Sequence, residues 1–315
     1  MVNILYCFDK NYNLQAFTSM ISLLDHSEDI INLYIIHKDE ITINYFPKII
    51  INHRNLNKIT INTFDLKHKD FPNIENSHVS EATYYRIYLN EFLPSDTNSI
   101  LYVDADIIFL NDVTNIYKEL TDNLAKSKYV VAAKTEYSRN NLNEERFTNL
   151  EMKSNKYLNA GVMFIDLTKW RNQRVYESLI ETQIRMGSRL IYWDQDVFNS
   201  FLDGEYLEMS EKLNFNPSNI EYSKKKFNDI YENVICVHYN GKLKPWTVKG
   251  ILEKDSIIFQ NEYRKLGLNK FLITHVWRLN SLMYFLLSFF NLKFFGVKKK
   301  VFFAYEFFKS LFKKA

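Results

Sequence analysis

Apolar, β-rich runs return at short intervals along this chain with helical patterns between them, and no other feature restricts its fold as strongly. VNILYCF (2–8) is followed by helical spacing over 14–24, then by INLYIIH (31–37) and TINTFDL (60–66). A second series holds a helix over 80–92, the strand SILYV (99–103), a helix after Asp112, and the strands YVVAAK (129–134) and AGVMFIDL (160–167). Helices over 169–186 and 195–202 and a buried strand in NVICVHY (233–239) complete the body. Strands alternating with helices predict βαβ units, and hence an α/β fold with a mainly parallel central sheet. The chain has 315 residues, 46% of them hydrophobic, enough to bury one large core. We expect one domain over 1–255 and a helical C-terminal region over 256–315. The opening MVNILYCFDKN has no basic residue ahead of its apolar run and no small-residue cleavage pattern, so it reads as a first strand and nothing directs export. Cys7 and Cys236, each inside an apolar run, suit a reducing compartment better than a disulfide framework, and the cytoplasm is expected.

LYVDADIIFL (101–110) sets two acids, Asp104 and Asp106, inside an apolar stretch. Alternate residues of an extended segment point to one face, so both carboxylates project together. They cannot both stay ionised cheaply unless a cation lies between them. A hard divalent ion, Mg²⁺ or Mn²⁺, supplies that cation and leaves coordination sites free for a diphosphate. The plainer alternative is a pair of loop residues accepting backbone amide bonds after a strand. Parallel sheets bind ligands beyond the carboxyl ends of their strands, where Asp9, after the first strand, would share a cleft with Asp104 and Asp106. His238 lies in VHYNGKLKPW and offers an imidazole, although a histidine in an apolar strand is also a common core residue. Gly241 permits a close backbone approach to phosphate, Lys244 offers a point charge, and Trp246 is a packing wedge.

Six segments, in order, resemble glycosyltransferase family 8: FDKNY (8–12), HVSEATYYR (78–86), YVDAD (102–106), YLNAGVMFIDLTKWR (157–171), WDQDVFN (193–199) and HYNGKLKPW (238–246). That family comprises retaining galactosyl- and glucosyltransferases of bacterial lipopolysaccharide and capsule synthesis, with glycogenin as a distant relative. The resemblance implies a GT-A nucleotide-sugar fold, a UDP-galactose or UDP-glucose donor, Mn²⁺ or alternatively Mg²⁺, and a saccharide acceptor, expected to be a lipid-linked glycan. It implies uracil and ribose contacts from Asp9, Asn11 and Tyr12, a diphosphate contact from His78 and a donor-sugar contact from Arg86. Asp104, Asp106 and His238 match the metal ligands, and Gly241 and Lys244 the pyrophosphate contacts. Asn159, Asp194 and Gln195 match residues around the transferred sugar, the last two as the catalytic pair, and Cys7, Val103, Ala105 and Ala160 are carried over as donor-binding positions. Read without the resemblance, FDKNY is an Asp-Asn turn and Asp194 a helix cap. At Asn240 and Lys242 the chain departs from residues common in better-known members. An amide is a poor nucleophile, so a same-face substitution stabilised by Gln195 is favoured over double displacement. The alternatives are a haloacid-dehalogenase-like phosphatase, whose pattern would place Thr or Val where Ile108 stands, and a non-catalytic glycan- or lipid-binding protein on the same fold.

Residues 271–315 carry eight basic residues against the single acid Glu306, a net +7; the whole chain carries +3, so the preceding 270 residues carry −4. Within this tail SLMYFLLSFFNL (281–292) is too short for a bilayer span of about twenty residues. Aromatic clusters alternating with lysines suit helices lying on an anionic membrane, here the inner face of the cell membrane, with the protein peripheral on it. The competing expectation is a helical pair docked on the body or on a second subunit. No nucleic-acid-binding motif accompanies the charge, and no nucleic-acid partner is expected.

Overall fold

The computed structural model describes residues 1–65, 71–72, 80–141, 143–217, 227–275 and 277–312. His78 lies outside the described residues, as does the end of the expected 60–66 strand. The strands are β1 (Val2–Phe8), β2 (Ile31–His37), β3 (Leu56–Thr63), β4 (Ser99–Val103), β5 (Ile107–Phe109), β6 (Val131–Ser138), β7 (Lys156–Asp166), β8 (Leu207–Glu208) and β9 (Cys236–His238). In the body the helices are α1 (Asn13–His26), α2 (Lys48–Ile51), α3 (Leu89–Phe92), α4 (Thr114–Lys126), α5 (Glu144–Asn149), α6 (Leu167–Asn172), α7 (Val175–Met186), α8 (Trp193–Leu202) and α9 (Phe227–Asn233). Beyond them come α10 (Val248–Ile251), α11 (Ser256–Lys265), α12 (Arg278–Phe290), α13 (Lys293–Gly296) and α14 (Lys300–Leu311).

Seven strands form one sheet in the order β3-β2-β1-β4-β7-β6-β8, while β5 and β9 pair as a separate ribbon. The expected mainly parallel sheet is present: β1 runs parallel to β2 and β4, β2 to β3, and β6 to β8. Among the described strands of this sheet, only β7 runs against its neighbours, β4 and β6. Alternation along the strands divides the core into two faces. Leu5, Tyr102 and Met163 pack beneath the helices that carry Trp170, Leu179 and Phe198, and Ile4, Tyr6, Leu101 and Phe164 pack beneath α1 and α4. On the second face the Phe164 ring meets Tyr117 of α4 edge-on at 4.9 Å.

Several elements differ from the expected ones for local reasons. The helix expected over 80–92 starts as a 3-10 segment, Glu81–Tyr88, capped by the Ser80 hydroxyl. The helix expected over 169–186 is two helices, because Arg174 takes a left-handed conformation (φ 52°) between them. The buried strand expected over 233–239 is shorter and belongs to the ribbon with β5, outside the main sheet.

On the tail side of residue 255, α11 buries Ile258, Phe259 and Tyr263 in one cluster with Trp246 and Tyr239. Its Lys265 reaches Asp25 of α1 at 2.8 Å. Farther on, Phe285, Phe294, Phe303 and Phe307 gather against Val248, Ile251 and Leu252, with Phe285 stacked on Phe307 at 4.2 Å. The tail thus docks on the body through one face and leaves the other in the open, where Leu279, Phe290 and Phe312 are each more than 80% exposed. Among the described residues no helix is long and apolar enough to cross a membrane.

Truncating Phe164 to Ala removes the ring that joins α4 to the sheet. Chemical denaturation is expected to register a loss of about 3–5 kcal/mol, the usual cost for a buried Phe.

Candidate active site

β1 and β4 are parallel neighbours, so Asp9 and Asp104 emerge at the same edge of the sheet. Three residues after Asp104 the chain enters β5, whose first residue, Ile107, pairs with His238 at the end of β9. The ribbon therefore carries Asp106 and His238 to the main-sheet edge as one piece. Asp104, Asp106 and His238 each offer a ligand atom, all within 4.8 Å of one another. Asp106 Oδ1 is buried with no hydrogen-bond partner, the condition of an acceptor awaiting a cation. Burial would push the Asp106 carboxyl up, but Lys244 and His238 outweigh it and hold the group well below the usual range.

The neighbouring shell fixes the orientation of the imidazole. Asn159 Oδ1 accepts from Gly161 N at 2.9 Å and from Asn214 Nδ2 at 3.0 Å. Asn214 Oδ1 therefore faces His238 Nδ1 at 2.8 Å, and Nδ1 must be the donor. Nε2 is left facing Asp106 Oδ1 at 3.4 Å and is the ring nitrogen turned toward the carboxylates, where a metal ligand is needed. Gly161 makes room for the group: a Cβ there would collide with the His238 ring and reach Asp104 Oδ2. The residues present suit a hard divalent ion, with two carboxylates and one imidazole.

Arg86, buried on the 3-10 segment, binds the site together. Its Nη1 donates to Asp104 Oδ1 at 3.0 Å and to Ala160 O at 2.6 Å, and its Nε to Asp194 Oδ2. The guanidinium lies 4.5 Å over the Tyr102 ring, whose hydroxyl also donates to Asp104. Burial alone would lower the Arg86 pKa, but Asp104 and Asp194 raise it well above its ordinary value. Burial raises the Asp194 carboxyl in spite of Arg86. Both Asp194 oxygens are taken, one by Thr83 Oγ1 and one by Arg86. Asp194 is not the helix cap that the plainer reading gave it: Asp196 accepts from Ile191 N and Tyr192 N, each at 2.6 Å. Gln195 is held at both ends, its Oε1 accepting from Ala160 N at 3.0 Å and its Nε2 donating to Glu136 at 3.3 Å.

On the nucleoside side the Asp-Asn turn is present, Asn11 N donating to Asp9 Oδ1 at 2.8 Å. Tyr12 packs edge-on against Trp246 at 6.1 Å. Gly241 adopts φ 78°, a conformation only glycine takes without strain, and it faces open space. Lys244 Nζ donates to Asp106 Oδ2 and to Tyr239 O. Cys7 is a buried free thiol whose pKa burial pushes far up, and Val103 and Ala105 are buried beside the aspartates.

Glu136 is a site residue absent from the sequence reading. Its carboxylate accepts from Asn159 at 3.1 Å, from Gln195 at 3.3 Å and from Asn240 at 2.6 Å. The β6–β7 register shifts between Thr135 and Tyr137, and the bulge turns Glu136 into the cleft. No sequence signal marks it. Tyr102 and Thr83 were within reach of spacing arguments, two residues before Asp104 on a strand and three before Arg86 on a helix.

An Asp-Asp-His group suited to a metal ion stands at the carboxyl edge of a mainly parallel sheet, in a fold of the GT-A type. Solved structures carry the same fold. The galactosyltransferase LgtC, in complex with donor and acceptor sugar analogues, matches with a TM-score of 0.64 at 22% identity, covering 88% of this chain and 99% of that one. The glycosyltransferase GlyE of Streptococcus pneumoniae in its apo form matches with a TM-score of 0.55 at 19% identity, over 98% of this chain and 64% of that one. The sequence profile of glycosyl transferase family 8 matches residues 3–250, and the chain belongs to that family. It is 26% identical to a putative glycosyltransferase of Haemophilus influenzae, over 79% of this chain and 74% of the relative. It is also 26% identical to the lipopolysaccharide 1,2-glucosyltransferase of Escherichia coli K12, over 78% and 72%. Family membership sets aside the phosphatase alternative.

Asn214 is not itself one of the expected metal ligands, yet it orients His238. Asn214→Ala is expected to weaken Mn²⁺ affinity about 10–100-fold with the fold retained, as loss of a ligand-orienting partner does. Calorimetric titration of Mn²⁺ beside a circular-dichroism spectrum checks it.

Proposed function

We propose that this protein transfers a hexose from UDP-galactose or UDP-glucose to a saccharide acceptor with retention of anomeric configuration, in the synthesis of bacterial lipopolysaccharide or another surface polysaccharide. The observation that carries this reading is the oriented His238 imidazole beside Asp106 and Asp104 in a family 8 chain. Those three residues would hold Mn²⁺, or Mg²⁺ in its place, and the ion supplies Lewis-acid stabilisation of the departing diphosphate. Lys244 is the cation nearest the ligand group and takes up phosphate charge, while Gly241 keeps the loop backbone open to it.

The sugar-side residues favour substitution on one face. Both Asp194 oxygens accept strong hydrogen bonds, from Thr83 and from the Arg86 guanidinium, which hold the carboxylate in place and lower its nucleophilicity. Gln195 is an amide braced by Ala160 and Glu136, a weak nucleophile in a fixed position. Its carbonyl oxygen, with a second lone pair beyond the Ala160 bond, stabilises positive charge developing at the anomeric carbon. Arg86 holds Asp104 and Asp194 at a set spacing, so the charges around the sugar do not rearrange during reaction.

The acceptor we propose is lipid-linked, with the protein cytoplasmic and peripheral on the inner face of the cell membrane. The exposed apolar face of the tail, carrying Phe290, Leu292, Val301 and Phe312 beside Lys298, Lys299 and Lys300, supports this placement.

UDP release from a panel of UDP-sugars, with and without Mn²⁺, tests the reaction. Metal-dependent release from one sugar, abolished in Asp106→Ala, is the expected result; UDP binding without turnover across acceptors would favour a binding protein instead. The transferred anomer, read by NMR of the product, is expected to match the donor, and an inverted product would refute the same-face route. In sedimentation with vesicles, the chain is expected to follow phosphatidylglycerol-containing membranes and to stay in solution with neutral ones. Phe290→Glu is expected to reduce that association.

A further inference from the structure

The family match ends at residue 250, yet the loop bearing Lys244 is held from beyond that point. Gln260 of α11 is completely buried and every polar atom of its side chain is used. Its Nε2 donates to Pro245 O at 2.8 Å and to Leu272 O at 3.1 Å, and its Oε1 accepts from Leu272 N at 3.1 Å. One residue farther along the loop, Trp246 O accepts from Thr274 N at 2.8 Å, and Thr247 and Thr274 form an isolated β-bridge. Tyr239, next to His238, donates its hydroxyl to Asp255 O at 2.8 Å. The Phe259 ring lies 5.0 Å from Trp246, which packs on Tyr12.

The loop thus has two faces. One presents Lys244 to Asp106, and the other is pinned, carbonyl by carbonyl, to a segment the family profile does not include. A buried amide that satisfies three backbone groups on two separate segments fixes their spacing, because displacing it strands all three.

We infer that residues 255–274 act as a buttress for the donor site, with Gln260 as the positioning residue that sets the loop of Lys244 and, through Phe259 and Trp246, the ring of Tyr12. The inference rests on the nucleotide-sugar reading of the site. It gives this part of the C-terminal region a role in donor binding that is separate from any membrane contact made by α12–α14.

The test is calorimetric titration of UDP in MnCl₂ into the full-length chain and two full-length variants, below the melting temperature of all three. Gln260→Met keeps the volume and removes the three hydrogen bonds. It is expected to remain folded by circular dichroism and to bind UDP about tenfold more weakly, the scale on which orienting partners act. Phe307→Leu loosens the tail cluster without touching the loop and is expected to lower the melting temperature while UDP affinity stays within about twofold of the parent. Equal UDP affinity in Gln260→Met and the parent would overturn the buttress and leave the nucleotide site standing. An equal loss in Phe307→Leu would also overturn it, since the effect would then follow general stability. A parent chain that binds no UDP would remove both readings together. Should Gln260→Met fail to fold, Phe259→Leu, which alters the ring against Trp246, is judged by the same two comparisons.

Discussion

A single buried guanidinium holds this site in being. Arg86 lies between the half-buried Asp104 and the buried Asp194, and without it the Asp194 carboxylate would be left out of water with a second negative charge beside it. Breaking a buried pair of this kind typically costs 3–5 kcal/mol, because the remaining charge has nowhere to go. Its bonds span the 3-10 segment, the end of β4, the backbone of β7 and the first turn of α8. The donor-side aspartate and the sugar-side aspartate are therefore parts of one electrostatic object, and neither moves without the other.

How much of this was legible in the sequence depended on whether the signal was local. The aspartate pair stood out because period-two alternation inside an apolar strand leaves few explanations for adjacent charge, and His238 because it ends another apolar run. The turn at Asp9 and the alternating strands were equally readable. Glu136 was not: it enters the cleft through a bulge, and a bulge depends on how two distant strands slip past each other. Asn214 orients His238 from 24 residues away, again a tertiary relation. The reversed direction of β7 and the break at Arg174 were likewise set by packing and not by any spacing in their own segments.

The C-terminal region illustrates the same limit from the other side. Its composition declared an aromatic and basic segment, but composition does not say which phenylalanines turn inward. Phe285, Phe303 and Phe307 are buried, whereas Phe290 on the helix of Phe285 and Phe308 on the helix of Phe303 and Phe307 are exposed. Docking on the body and offering an apolar face to another surface are thus compatible functions of a single segment.

The bond from Lys244 to Asp106 has a consequence for the order of events. The Lys244 ammonium sits on the Asp106 carboxylate, so under the proposed function an arriving divalent ion would compete with a tethered cation at high effective concentration. Anything that draws the ammonium away, as a phosphate group would, relieves that competition. By thermodynamic reciprocity the ion must then strengthen binding of the phosphate by the same factor that the phosphate strengthens binding of the ion. Under that function the site would act as a two-key lock, each occupant held more firmly once the other has arrived.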